Sequence, residues 1–206
     1  RRGIGTALID TLVSAHPLAK VWAHGRVPGA AEFARARGGI PVRELLHMTW
    51  LAGDAVVPPV PDGWEVRTFT PADAAAWVAL NAEIFADHPE QGSITEADLA
   101  ARMTKPWFDP RLFWLVVNEL GGLAGYAWMK PGAGGADELY VIGLAASARG
   151  TGLAAHLVGR VQEATAARGS TSLGLYVEAG NKSAVRSYER AGFHTDGVDL
   201  QYARGR

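Results

Sequence analysis

The chain contains no cysteine. That excludes disulfides, thiolate metal sites and a cysteine nucleophile, and it suits a reducing compartment. No apolar run approaches the roughly 18 residues of a membrane span, and the start of the chain carries no secretory-signal core. Neither sign of charge dominates: Lys plus Arg is 20, Asp plus Glu is 21, and the net charge is −1. No basic stripe is interleaved with aromatics, so nucleic acid and anionic membranes are not expected as partners. A cytoplasmic monomer acting on small molecules is expected. Gly-x-Ser-x-Gly and His-Glu-x-x-His are also missing. The histidines His16, His24, His47, His88, His156 and His194 show no paired spacing, so no metal is assigned.

What is present is ordinary for a globular protein: 206 residues, 48% hydrophobic and 20% charged, enough for one good core or two small ones. The opening Arg-Arg-Gly-Ile-Gly lacks an initiator Met and reads as the interior of a motif, so a fragment is expected.

Ile4, Leu8, Leu12 and Ala15 share one face of a helix predicted over residues 2–16, which Pro17 ends. A short strand at 21–24, a helix at 30–37 closed by Gly38-Gly39, and a strand at 42–51 follow. The proline-dense stretch 57–63 reads as a stiff linker and sets the expected boundary, with domains over 1–57 and 58–206. Beyond it the pattern predicts a strand at 64–69, a helix from the Thr70-Pro71 start to about Ala86, and a helix capped by Ser93 or Thr95. A hairpin of strands 113–118 and 123–130 turns at Gly121-Gly122, and a glycine-rich loop leads to a strand headed by Glu138. A helix over 151–167, a strand at 172–178, a helix capped by Asn181 and a strand at 198–203 complete the chain. The segment from Arg2 to Leu8 repeats the segment from Arg149 to Ala155, with strand, helix, glycine and strand following both. Internal duplication requires no function of its own.

The strand from Glu138 to Leu144, the turn at Arg149-Gly150-Thr151-Gly152 and the helix start at Leu153-Ala154-Ala155 form the stretch richest in chemistry. Backbone N–H groups converge at such a helix start and attract phosphate. A P-loop is excluded because Gly-Lys-Ser/Thr is absent. A dinucleotide fingerprint fits Gly150, Gly152 and Ala155, with Glu178 as the ribose acid, but that fingerprint normally opens a βαβ fold and here several elements precede it. The pattern Arg149-x-x-Gly152-x-Ala154 fits a pyrophosphate cradle in which Arg149 adds charge, and a plain glycine turn stays open.

This motif, its place after a hairpin and strand, and the later helix from Asn181 to Tyr188 resemble the GNAT acetyltransferase superfamily. His88-Pro89-Glu90-Gln91-Gly92, Trp107-Phe108-Asp109-Pro110, Glu138-Leu139-Tyr140-Val141-Ile142-Gly143, Leu175-Tyr176-Val177-Glu178, Asn181 and Ala184-Val185-Arg186-Ser187-Tyr188 resemble in particular the mycothiol synthase family of tandem GNAT enzymes. The resemblance implies an α/β GNAT fold, a mixed and largely antiparallel sheet flanked by helices. One complete domain would follow the back half of a second. It implies acetyl-CoA as co-substrate and, as acceptor, the cysteinyl amine of a cysteine–glucosamine–inositol pseudo-disaccharide. Ile142, Gly143 and Leu144 would meet the pantetheine arm. Arg149, Gly150, Thr151, Gly152, Leu153, Ala154 and Ala155 would cradle the pyrophosphate, with Asn181, Lys182, Ser183, Ala184, Val185 and Arg186 along the cofactor. Glu90, Lys130, Glu138 and Tyr176 would meet the acceptor.

The chemistry agrees. An α-amino group with a pKa of about 8 is mostly protonated at neutral pH and must lose a proton to attack a thioester. Glu138 is the expected base and Tyr188, on the helix face of Asn181, the expected donor to the departing thiolate. Each residue also has a plainer reading: Glu138 as a strand-end carboxylate, Tyr188 and Tyr176 as packing, Glu90 as a loop charge and Lys130 as a solubilising hairpin end. Another GNAT acceptor amine, a non-catalytic CoA-binding module and a nucleotide-dependent oxidoreductase are the alternatives.

Overall fold

The computed structural model describes residues 3–25, 27–88 and 91–205. They fall into two compact units, each discontinuous in sequence. The first is drawn from Arg1–Met48, Tyr176–Val185 and Thr195–Arg206, the second from Thr49–Leu175 and Arg186–His194.

In the first unit, helix α1 (Ile4–Ala15) follows Gly3, and strand β1 (Lys20–Ala23) comes after the Pro17 break. Helix α2 (Ala30–Arg35) stops two residues before the expected end, because Arg37 and Gly38 donate to Ala34 and Arg35 in tight closing turns. Strand β2 (Gly39–Leu51) starts at once after Gly38, whose φ of 71° is cheap only for glycine. The strand order here is β1, then β8 (His194–Arg204), then β2, with β1 antiparallel to β8 from Lys20↔Ala203 to Ala23↔Leu200. Strand β8 begins four residues before the expected Val198, since its first three side chains are exposed and polar and hide the alternation.

The second unit carries the larger core. Its strands run β7 (Ser172–Glu178), β6 (Ala136–Leu144), β5 (Leu123–Lys130), β4 (Phe113–Asn118) and β3 (Trp64–Thr68), antiparallel except for the β6–β7 pair. The mixed sheet agrees with the expected fold class. Helix α3 (Ala74–Ile84) is preceded by a 3₁₀ turn in which Thr70 and Asp73 form a capping box. Arg67 clamps Asp73 through both guanidinium nitrogens, at 2.6 and 2.9 Å. Thr95 and Asp98 form a second capping box at helix α4 (Glu96–Met103), which decides the cap between Ser93 and Thr95.

Strand β4 is buried on both faces. Phe113 and Leu115 join Trp77, Tyr126 and Trp128 in an aromatic cluster in which Phe113 stacks on Trp128 at 4.5 Å and Trp77 meets both edge-on. Such pairs add roughly 0.5–1.5 kcal/mol each beyond burial. Helix α5 (Leu153–Ala167) packs on β5 and β6 with Leu153, Leu157 and Val161 fully buried. The proline-rich stretch lies on α5: the imidazole of buried His156 donates from Nδ1 to the Pro58 carbonyl at 2.6 Å. Helix α6 (Lys182–Arg190) ends beside α5, where Gln162 donates to the Ala191 carbonyl.

Candidate active site

The site starts from a change in strand pairing. Strand β6 pairs with β5 along its whole length, from Lys130↔Glu138 to Gly125↔Leu144. With β7 it pairs over three residues only, Ala136↔Ser172, Asp137↔Leu173 and Glu138↔Gly174. Beyond Glu138 the β7-facing backbone groups of β6 are left without a strand partner in that ladder. A bulge accompanies the change: Trp128 faces Val141 and Met129 faces Leu139, so Tyr140 is the extra residue. Bulges twist and re-aim a strand and are frequent beside functional sites. The unpaired rim carries Ile142, Gly143 and Leu144, the residues expected to meet the pantetheine arm. Gly143 is buried, and a Cβ there would come within 2.9 Å of Ile84 Cγ2, so this strand requires glycine for packing as well.

Downstream of the rim is the glycine turn. Gly150 and Gly152 have φ of 78° and 98°, in the region open to glycine. Gly152 caps α5 without any side-chain partner, and no acidic residue occupies the first turn of the helix. A Cβ on Gly150 would meet nothing within 4 Å, and one on Gly152 would meet Pro61 alone, at 3.7 Å. Gly150, Gly152 and Ala155 are exposed, so the first-turn N–H groups face open space large enough for an anion. The helix starts at Leu153, two residues later than expected, because the left-handed glycine ends the turn at 152. Thr151 Oγ1 donates back to the Ala148 carbonyl and stiffens the turn. Arg149 Nε donates to the Leu144 carbonyl at 3.1 Å, tying the end of β6 to the turn.

Glu138 is the last β6 residue paired with β7, and its side chain is a third exposed. Lys130, directly across the β5–β6 ladder, donates from Nζ to Glu138 Oε2 at 3.2 Å. The ammonium also sits 5.8 Å from the Trp107 ring and 5.7 Å from the Tyr140 ring, within cation–π range. Trp107 and Tyr140 were not among the expected site residues, although both lie inside the quoted motifs. Tyr188, on α6, is buried against Phe193 with ring centroids 5.8 Å apart. Burial pushes its phenol up to about 12.

Asn181 caps α6 as expected, its Oδ1 accepting from Ala184 N and its carbonyl from Val185 N. Lys182, Ser183 and Arg186 are exposed, and Ala184 and Val185 half-buried. Tyr176 is 55% exposed at the end of β7. Glu90 lies outside the described residues. Glu178, the ribose acid of the dinucleotide reading, is engaged by Arg43, whose Nε and terminal nitrogen reach Oε1 at 2.8 and 2.6 Å. Its carboxylate already has a partner, which further weakens that reading. Among the described residues no group of three or more His, Asp or Glu is arranged to hold a metal, and no helix is long and apolar enough to cross a membrane.

Residues 77–193 match the model of the acetyltransferase (GNAT) family. The chain is 43% identical over 210 residues to the mycothiol acetyltransferase of Clavibacter michiganensis, covering 99% of this chain and 68% of that protein. It is 44% identical over 212 residues to the mycothiol acetyltransferase of Kineococcus radiotolerans, covering 100% of this chain and 69% of that one. The chain belongs to the GNAT acetyltransferases, among the mycothiol acetyltransferases. The fold agrees with that membership. A GCN5-related N-acetyltransferase from Sphaerobacter thermophilus superposes with a TM-score of 0.83 at 24% identity, over 97% of this chain and 67% of the other. A tandem GNAT protein of the clavulanic acid pathway superposes at 0.73 and 20% identity, over 98% and 70%.

Within the family frame, the parted β6–β7 pair and the capless start of α5 become the features to explain chemically. The protein is an acetyltransferase. The residues that serve it are taken up next.

Proposed function

We propose that this acetyltransferase transfers the acetyl group of acetyl-CoA to the cysteinyl amine of a cysteine–glucosamine–inositol pseudo-disaccharide, with Glu138 as base and Tyr188 as hydrogen-bond donor. The observation that carries the reading is Glu138 at the point where β6 leaves β7, heading a rim of unpaired backbone that leads to the open start of α5. The kinship with mycothiol acetyltransferases at 43–44% identity supports the choice of acceptor.

Acetyl-CoA supplies the activated acyl group. The backbone of Ile142 to Leu144 holds the pantetheine arm by strand-like pairing, and the N–H groups from Gly150 to Ala155 receive the pyrophosphate. Asn181 to Arg186 lie along the cofactor. Glu90, Lys130, Glu138 and Tyr176 meet the acceptor. Glu138 takes the proton that the ammonium must lose before it attacks, a role typically worth 10²–10⁴ in rate. Lys130 holds the carboxylate in place from across the ladder.

Tyr188 stays protonated at neutral pH because burial raises its phenol to about 12. Complete proton transfer from such a phenol to a thiolate with a pKa of about 8.5 is uphill. Its contribution is therefore hydrogen-bond donation to the sulfur as negative charge develops there. Direct amine attack fits a chain without cysteine or a serine elbow. The proposed organisation is a catalytic GNAT domain over 58–206 preceded by the C-terminal part of a second GNAT-like domain over 1–57.

The test is acetyl-CoA turnover with the pseudo-disaccharide against a polyamine and a peptide N-terminus, followed by mass spectrometry. Selective acetylation of the cysteinyl amine is expected. Preference for either other amine overturns the acceptor assignment, and binding of acetyl-CoA without turnover overturns the catalytic one.

A further inference from the structure

The first unit holds a cluster that the chemistry above leaves unused. His47, on β2, places Nδ1 2.5 Å from Asp196 Oδ1, on β8. Its imidazole lies against the Tyr176 ring, with centroids 4.9 Å apart and planes inclined at 56°. The strand next to it makes room: a Cβ on Gly197 would come within 3.1 Å of His47 Cβ, tighter than ordinary contact. The three residues come from three separate stretches of sequence and meet at one exposed tyrosine.

A second Asp–His pair on β8 shows what such a pair looks like when it serves the backbone. Asp199 accepts from His24 Nδ1 and from the Gly25 N–H, both at 2.8 Å, so its carboxylate closes a turn. The His24 side chain is 77% exposed and meets Trp22 only at 6.4 Å. His47 is instead two-thirds covered and pressed against an aromatic ring. The geometry of the Asp196 pair therefore fixes a ring orientation, and the fixed ring limits where the Tyr176 phenol can go.

We propose that His47, held by Asp196, is a positioning residue that pre-sets the Tyr176 phenol for the cysteinyl acceptor. This rests on the reading above in which Tyr176 meets that acceptor. An exposed tyrosine must otherwise be immobilised on binding, and pre-ordering one rotamer-rich side chain is worth on the order of threefold to tenfold in affinity. The effect belongs to the acceptor, not to acetyl-CoA.

The test is steady-state kinetics of the full chain with acetyl-CoA and the pseudo-disaccharide, with melting temperature measured in parallel. His47→Ala, Asp196→Ala and Gly197→Ala should each raise the acceptor KM about threefold to tenfold, leaving the acetyl-CoA KM and kcat within about twofold. His47→Phe, which keeps a ring against Tyr176, should recover most of the loss, and His24→Ala should change nothing. In a Tyr176→Phe background, which lacks the hydroxyl to be placed, His47→Ala should add little, because residues acting as a unit are not additive. An unchanged acceptor KM in His47→Ala overturns the proposal, as do fully multiplicative effects in the double variant. So does a parallel loss of acetyl-CoA KM and melting temperature. If the wild type acetylates another amine or none, the functional reading and this inference fall together. Turnover of the cysteinyl acceptor with an unaffected His47→Ala sinks the inference alone.

Discussion

The chain starts two helices on glycine, and the two starts differ in everything but the glycine. Gly3 before α1 and Gly152 before α5 both have left-handed φ, 69° and 98°, and neither helix has a side-chain cap. Helix α5 then buries eight residues, whereas α1 buries none and leaves Ile4 and Leu8 60% and 65% exposed. The sequence repeat pairs Gly3 with Gly150 and Gly5 with Gly152, but Gly5 is already helical. Helix α1 begins two residues earlier in the motif, and the second left-handed glycine is lost. A glycine-led helix start is thus a common local device. What makes one a candidate phosphate cradle is a second left-handed glycine, a buried helix behind it and a strand that parts from its neighbour in front of it.

Breaking that comparison gives effects of decreasing size. Glu138→Gln removes the carboxylate at the parting of β6 and β7, and kcat should fall about 10²–10⁴-fold with little change in acetyl-CoA KM. Truncating a helix face comes next. Leu157→Ala in α5, where the side chain is fully buried, should cost about 2–5 kcal/mol in chemical denaturation, while Leu8→Ala in α1 should stay within about 0.5 kcal/mol. Equal losses would contradict the account of the two helices.

Tyr188→Phe should lower kcat on the order of tenfold, the value of one hydrogen bond to a charged group, again with acetyl-CoA KM nearly unchanged. The same variant carries a pH signature. The unfolded phenol releases its proton near 10 and the buried one only at about 12. Stability should therefore be full below pH 10, decline as pH rises from 10 towards 12, and decline less in Tyr188→Phe. Smallest is the glycine exchange. Gly152→Ala and Gly3→Ala should each cost about 1–2 kcal/mol of backbone strain, and only the first should raise the acetyl-CoA KM.

The fold was legible wherever local patterns decide it. The β4–β5 hairpin, the β6 strand and the capping of α6 by Asn181 stand where turn chemistry and alternation put them. The ladder partnership of Lys130 and Glu138 follows from the two successive antiparallel strands that carry them. Three features escaped because they depend on partners far along the chain. The parting of β6 from β7 after Glu138 and the bulge at Tyr140 are properties of a pairing, and no residue type announces them. Arg43 on Glu178 joins residues 135 apart in sequence, so Glu178 read as an available acid at the end of a strand. His156 looked like a surface or packing residue of the motif helix, and its burial is set by the Pro58 carbonyl laid across α5.

One measurement bears most directly on the claim that the strand head before α5 supplies the base. Wild type and Glu138→Gln are incubated with acetyl-CoA and the cysteinyl pseudo-disaccharide across neutral pH, and N-acetylated product is quantified by mass spectrometry. The account predicts product from the wild type and a rate about 10²–10⁴-fold lower from Glu138→Gln, with both proteins binding acetyl-CoA alike. Equal rates in the two proteins at every pH would contradict it.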